Sequence, residues 1–135
     1  MENKERAIAS NYADIREKNE SSNFYKKHWA QALIKHIPKG NLHLLDYGCG
    51  TGILHELLPK SISYLGIDIS DDMLAIAQGR KINVKKMDGE SLTLNNEFDV
   101  VISWGALHHL HNPQKGIEQI KKALKKNGFL IISEP

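Results

Sequence analysis

From residue 41 onward, short apolar runs alternate with stretches whose apolar residues recur every three or four positions. Runs at 42–45, 62–67, 82–87, 98–103 and 129–132 predict strands, and segments at about 53–58, 71–78 and 113–126 predict helices between them. Strands that alternate with helices imply an α/β fold, a parallel sheet with crossover helices packed on its faces. The helix ends carry their own signals. Ser70 caps a start with Asp71 and Asp72 in the first turn, and Gly79 ends that helix; Asn112 caps another with Pro113 in first position, and Asn127-Gly128 closes it. Upstream, Ser22 can cap a helix whose Tyr25, Trp29, Ala32, Leu33 and His36 share one spacing, with Pro38-Lys39-Gly40 as its stop. Residues 1–20 are polar, with a weaker helical pattern.

Two strands differ in kind. Ile82-Asn83-Val84-Lys85-Lys86-Met87 is polar enough for an exposed sheet edge, whereas Phe129-Leu130-Ile131-Ile132 has the pattern of a strand covered on both faces. The sequence ends at Pro135, three residues later. That pattern predicts either further sheet beside the last strand, in a longer fold of which this is a truncated piece, or self-association or a partner covering it.

A length of 135 residues suits a single domain, divided here into an N-terminal helical segment at 1–40 and a sheet-bearing core at 41–135. The formal charge of +2 gives no case for a nucleic-acid partner, and Lys121, Lys122, Lys125 and Lys126 flank an apolar helical stripe as a solvated face does. No apolar run approaches the ~18 residues of a membrane helix, and Glu2, Lys4, Glu5 and Arg6 open no signal peptide. A cytoplasmic location without a membrane partner is the expectation. Cys49 is the only cysteine, which leaves no internal disulfide and no cysteine-built zinc site; His108 and His111 alone supply too few metal ligands.

The chemistry gathers at strand ends. Leu44-Leu45-Asp46-Tyr47-Gly48-Cys49-Gly50-Thr51-Gly52 puts a glycine-rich turn at the carboxyl end of the first sheet strand, where doubly wound sheets bind ligands. A plain strand-to-helix turn needs fewer glycines. The dinucleotide fingerprint requires glycine or alanine where Ile53 stands, which weakens a nicotinamide-dependent oxidoreductase. Asp46 would repel a pyrophosphate and attract an ammonium group, or else bond the loop's own amides. Asp68, sixteen residues beyond Gly52, can accept ribose hydroxyls or cap the next helix, although Ser70 already fills the cap. Asp88 can meet an adenine amino group or serve as a turn aspartate before Gly89. His108, His109 and His111 follow the fourth strand on the same rim, either as proton acceptors or as solvated loop residues. Trp104 is a wall of the site or core; Tyr12 and Tyr25 are lid residues or helix packing. Cys49 is a small residue accommodated in the turn rather than a nucleophile.

Together, Leu44 to Gly52, Gly66-Ile67-Asp68-Ile69-Ser70, Met87-Asp88-Gly89, Phe98-Asp99-Val100-Val101-Ile102-Ser103 and Gly128 to Pro135 resemble the class I S-adenosylmethionine-dependent methyltransferases. The match runs over about residues 40–135 in the family's order. It is most similar to the small-molecule enzymes of the ubiquinone/menaquinone-biosynthesis type, which carry a stretch like Leu107-His108-His109 after the fourth strand. The resemblance implies a doubly wound, mostly parallel sheet of order 3-2-1-4-5, and S-adenosyl-L-methionine as cofactor. It implies that Asp46, Gly48, Gly50 and Gly52, with Cys49 in the same loop, hold the methionine part. Asp68 and Ile69 would hold ribose and adenine, Asp88 with Gly89 would close over the adenine, and Ser103 would offer backbone contacts near the sulfonium. Asp99, at the start of its strand, stays structural on the opposite rim. Family members also carry a further helix and a two-strand hairpin beside the fifth strand, absent from these residues. The turn Ser103-Trp104-Gly105-Ala106 is unlike that of enzymes methylating nucleic-acid bases, and the paired-glutamate loop of protein arginine methyltransferases is missing. The implied function is methyl transfer to a small-molecule acceptor, with His108 and His109 as catalytic residues, by this chain or by an enzyme of which it is the cofactor-binding part. The alternative is a non-catalytic S-adenosylmethionine-binding module that works with a partner.

Overall fold

The computed structural model describes residues 20–134. Helix α1 (Glu20–Ile34) leads into β1 (His43–Tyr47), α2 (Ile53–Leu57), β2 (Ser63–Asp68), α3 (Asp71–Gly79), β3 (Val84–Lys86) and β4 (Phe98–Trp104). A 3-10 turn (Leu107–His109), α4 (Pro113–Ala123) and β5 (Leu124–Ser133) complete it. The strands form one sheet, ordered β3-β2-β1-β4-β5 with each neighbouring pair parallel. This is the doubly wound order, in which the chain leaves β1 in one direction and returns beside it as β4.

Side-chain alternation explains the helices on both faces. Leu44, Val100 and Ile102 join Ala30, Leu33, Leu54 and Ala77 in one core, while Leu45, Ile67 and Val101 join Leu107, Ile120 and Ala123 in the other. The 87–97 connection carries no helix, yet it buries Leu92 and Leu94 in the second core. Helix α4 holds it there: Leu92 N donates to Gln119 Oε1 at 2.9 Å and Lys122 Nζ donates to Leu92 O at 2.9 Å.

The capping signals are realised, Ser70 Oγ accepting from Met73 N and Asn112 Oδ1 from Lys115 N. Strand β3 lies on the edge, as its polarity predicts. Asp99 lies on the opposite rim, where Oδ2 accepts from His43 N at 2.8 Å and Oδ1 faces Lys125 Nζ at 3.5 Å.

Three expectations are corrected. Ser22 falls inside α1 rather than capping it, and the helix turns Ala30 and Leu33 inward with Ile34 and Ile37 beside them, leaving Tyr25 and Trp29 exposed. Of the expected stripe Leu33 does face the core, and a small residue outside it, Ala30, makes the close approach beside it. Helix α4 ends at Ala123 rather than near residue 126, because Asn96 N and Glu97 N take the carbonyls of Lys122 and Ala123 and Leu124 pairs with Phe98 in the sheet. Asn127, at φ 66°, then turns the chain into the main run of β5. Finally, β5 is not covered on both faces. Ile131 reaches the first core and Leu130 packs on the second, but the outermost position leaves Phe129 52% and Ile132 44% exposed. Tyr12 and the segment 1–19 lie outside the described residues.

These placements order the stability costs. Ile120→Ala is expected to lower the unfolding free energy in urea by about 2–5 kcal/mol, and Phe129→Ala by about 1 kcal/mol or less. The reverse order would contradict the assigned core.

Candidate functional site

The loop after β1 is built by β2. Gly48 N and Cys49 N both donate to the carbonyl of Ile67, each at 2.9 Å, and Gly50 N donates to Asp68 Oδ2 at 2.9 Å. Gly48 and Gly50 hold positive φ angles of 75° and 56°. At Gly48 a Cβ would also meet Ala106 from the loop after β4, so the two loops touch at the point where the sheet reverses direction. At Gly50 a Cβ would meet nothing within 4 Å. A ligand can lie against that backbone.

Asp68, half-buried at the end of β2, has both oxygens engaged, Oδ2 with Gly50 N and Oδ1 with Ser70 N at 2.9 Å. Each oxygen keeps a second lone pair. Next to it, Ile69 is 63% exposed on the rim. Asp88 is exposed and accepts from Glu90 N, the turn arrangement, while Gly89 O accepts from Tyr47 Oη at 2.7 Å. Burial, with the charges of Asp88 and Glu90, pushes the Tyr47 hydroxyl up to about 12. Ser103 stays one residue inside the rim, level with Tyr47 and Ile132, and its Oγ is fully buried without a hydrogen-bond partner. Trp104 packs on the first core rather than standing free.

Asp46 is the most constrained group. It is 4% exposed and accepts from Tyr64 Oη at 2.6 Å. Burial raises its carboxyl to about 7, the Tyr64 hydrogen bond opposes that rise, and the charge of Asp68 adds to it. Burial also raises the Cys49 thiol, which keeps it neutral and unsuited to attack.

On the β4 side, Glu134 was not anticipated from the sequence. Its Oε1 accepts from Leu107 N at 2.9 Å, and its Oε2 lies 2.7 Å from His108 Nδ1. Burial pushes the Glu134 carboxyl up, but the bonds from His108 and Leu107 outweigh it and leave the group below the usual glutamate range. An ionised carboxylate only accepts, so Nδ1 carries the hydrogen and Nε2 is left as the acceptor of a neutral ring. His109 is exposed beside it, the two rings 3.9 Å apart. Among the described residues no three His, Cys, Asp or Glu side chains converge for a metal ion.

A family model described as a methyltransferase domain matches residues 45–132. The chain belongs to this family. The ubiquinone biosynthesis O-methyltransferase of Pelagibacter ubique is 33% identical over 103 residues, covering 71% of this chain and 43% of that protein. The tRNA (carboxymethyluridine(34)-5-O)-methyltransferase of Arabidopsis thaliana is 33% identical over 117 residues, covering 84% and 28%. In three dimensions, a crystal structure of a Methanococcus maripaludis protein has a TM-score of 0.80 at 21% identity, over 96% of this chain and 63% of that one. At that identity the likeness speaks for the fold. The chain spans less than half the length of the curated relatives it matches first. No helix among the described residues is long and apolar enough to cross a membrane.

The fold of this methyltransferase domain thus brings Asp46, Gly48, Cys49, Gly50, Asp68 and Ile69 to one loop and strand end. His108 and Glu134 meet beyond the adjacent strands. The only sequence signal for Glu134 was its position just after the last strand, on the rim shared with the glycine loop.

A raised carboxyl in the folded state binds protons that the unfolded chain has already lost. The Asp46 contribution to stability is present below pH 3.8 and is lost as pH rises toward 7, a fall on the order of a few kcal/mol. Comparing urea midpoints from pH 4 to 8, Asp46→Asn should remove this part of the slope; parallel curves for the two proteins would contradict the burial of an ionisable Asp46.

Proposed function

We propose that this chain binds S-adenosyl-L-methionine at the carboxyl ends of β1 and β2 and serves methyl transfer to a small-molecule acceptor, as the cofactor-binding part of the enzyme. The observation that carries the reading is the open backbone at Gly50, whose amide is held by the Asp68 carboxylate, in the loop that follows the buried acid Asp46. Such a rim suits a cationic ligand and opposes a pyrophosphate. The donor set fits the cofactor group by group. Asp46 would face the ammonium end, the glycines and Cys49 would let the methionine chain lie on the backbone, and Asp68 would take ribose hydroxyls. Exposed Ile69 offers an apolar surface for adenine, which Asp88 and Gly89 would border. The unpaired Ser103 Oγ is a buried polar atom of the kind that a bound group satisfies.

When bound, the cofactor supplies an electrophilic methyl group on a sulfonium, so the protein's task is alignment and exclusion of water. In this reading His108 would take the acceptor's proton on Nε2. Glu134 fixes the orientation of the ring through Nδ1. His109 lacks such an orienting carboxylate and stands beside it as a packing partner in this reading. The ubiquinone-type relative supports a small acceptor. An RNA acceptor, as in the tRNA-modifying relative's name, is the outcome that would replace it.

Calorimetry separates the readings. S-adenosylhomocysteine should bind and NAD should not. Asp68→Ala should weaken the former by about 1.5–3 kcal/mol, the range for a hydrogen bond to a charged group. Heat from NAD alone would overturn the reading, and an unchanged affinity in Asp68→Ala would remove that residue from the site.

A further inference from the structure

Tyr64 belongs to neither the glycine loop nor the strand-end acids, yet it makes a short side-chain bond at the site, Oη to Asp46 Oδ2 at 2.6 Å. Resting on the cofactor reading above, we propose that Tyr64 is a positioning residue for cofactor recognition. By donating its hydroxyl, it favours the ionised form of the buried Asp46 carboxyl, the form that pairs with the ammonium group of the ligand's amino-acid end.

The geometry leaves the hydroxyl little freedom. Tyr64 is 8% exposed; its ring meets His55 of α2 edge-on, with centroids 4.9 Å apart and planes at 71°. Its backbone carbonyl is held by Asn83 Nδ2 at 3.1 Å. Opposite Asp46 in the sheet stands Gly66, where a Cβ would lie 2.8 Å from both Tyr64 Oη and Cys49 Sγ. A glycine inside a strand marks such a close approach, and here it leaves the room in which Tyr64 reaches Asp46.

The ionisable groups around Asp46 do not share the task. Asp68, at the end of β2, disfavours a second negative charge, and the Cys49 thiol is neutral. His55 meets the ring of Tyr64. Burial also disfavours the charge, so the Tyr64 hydrogen bond is the contribution that favours it. A ligand ammonium needs the ionised form. Its binding should therefore depend on pH in a way that the tyrosine sets.

The test is calorimetric titration of the wild-type chain and Tyr64→Phe between pH 5.5 and about 8.5, with circular dichroism to check folding. The ligands are S-adenosylhomocysteine and 5′-methylthioadenosine, which lacks the amino-acid end. Wild-type affinity for the former should rise by up to about tenfold per pH unit and level off near pH 7, while the latter stays flat. In Tyr64→Phe the rise should move up by about one pH unit. Binding would then be roughly tenfold weaker at pH 6 and converge on wild type at the alkaline end. Equal weakening at every pH, or an unmoved profile, would overturn the proposal. Should Tyr64→Phe not fold, a flat wild-type profile, or a rise shared by 5′-methylthioadenosine, would still overturn it. Absence of binding by both ligands at every pH overturns the cofactor reading itself, whereas binding with the wrong profile overturns only the role of Tyr64.

Discussion

One carbonyl, that of Ile67, holds the site together. It accepts from Gly48 and Cys49 at once, and the next residue, Asp68, takes the amide of Gly50. The loop that leaves β1 is therefore shaped by the end of β2. Parallel register is the prerequisite: Tyr47 pairs with Ile67, which sets the two strand ends level before either makes a loop contact. A shift of one residue would turn Asp46 away from Tyr64 and leave the loop amides without their acceptors.

A rim built this way concentrates carboxylates. Asp68 ends a strand, Asp88, Glu90 and Glu134 follow strands on the same side, Asp46 lies one residue inside the end of β1, and two of the five carry clear marks of the cost. Burial lifts Asp46 to about 7, whereas two donors are needed to hold Glu134 down. Groups held against their ordinary ionisation are common where a protein has a task for them. A cationic ligand offsets the repulsion and a polyphosphate adds to it, so the charge pattern and the glycine backbone point to the same class of cofactor.

Much of the fold was legible in the sequence because its signals were local. The caps at Ser70 and Asn112, the edge character of 82–87 and the glycine loop each depend on residues a few positions apart. The misreadings share a cause. On α1 the expected stripe of Tyr25, Trp29, Ala32, Leu33 and His36 holds at Leu33, but close packing on the sheet selects Ala30 beside it and leaves Tyr25 and Trp29 exposed. The end of α4 was placed near Asn127-Gly128, but amides from residues 96 and 97 stop it at Ala123. Tyr64 with Asp46, and Glu134 with His108, are pairs set by strand register or by the meeting of two loops. They lie 18 and 26 residues apart, beyond the reach of any periodicity.

Backbone amide shift mapping by NMR with S-adenosylhomocysteine addresses the central claim most directly, because it reports where the ligand lies as well as whether it binds. Binding at the carboxyl rim predicts perturbation of Gly48 to Gly52, Asp68 to Ser70 and Asp88 to Gly89. Residues on the opposite rim, such as His43 and Asp99, would stay unmoved. Shifts confined to that opposite rim, or to the exposed face of β5, would contradict it.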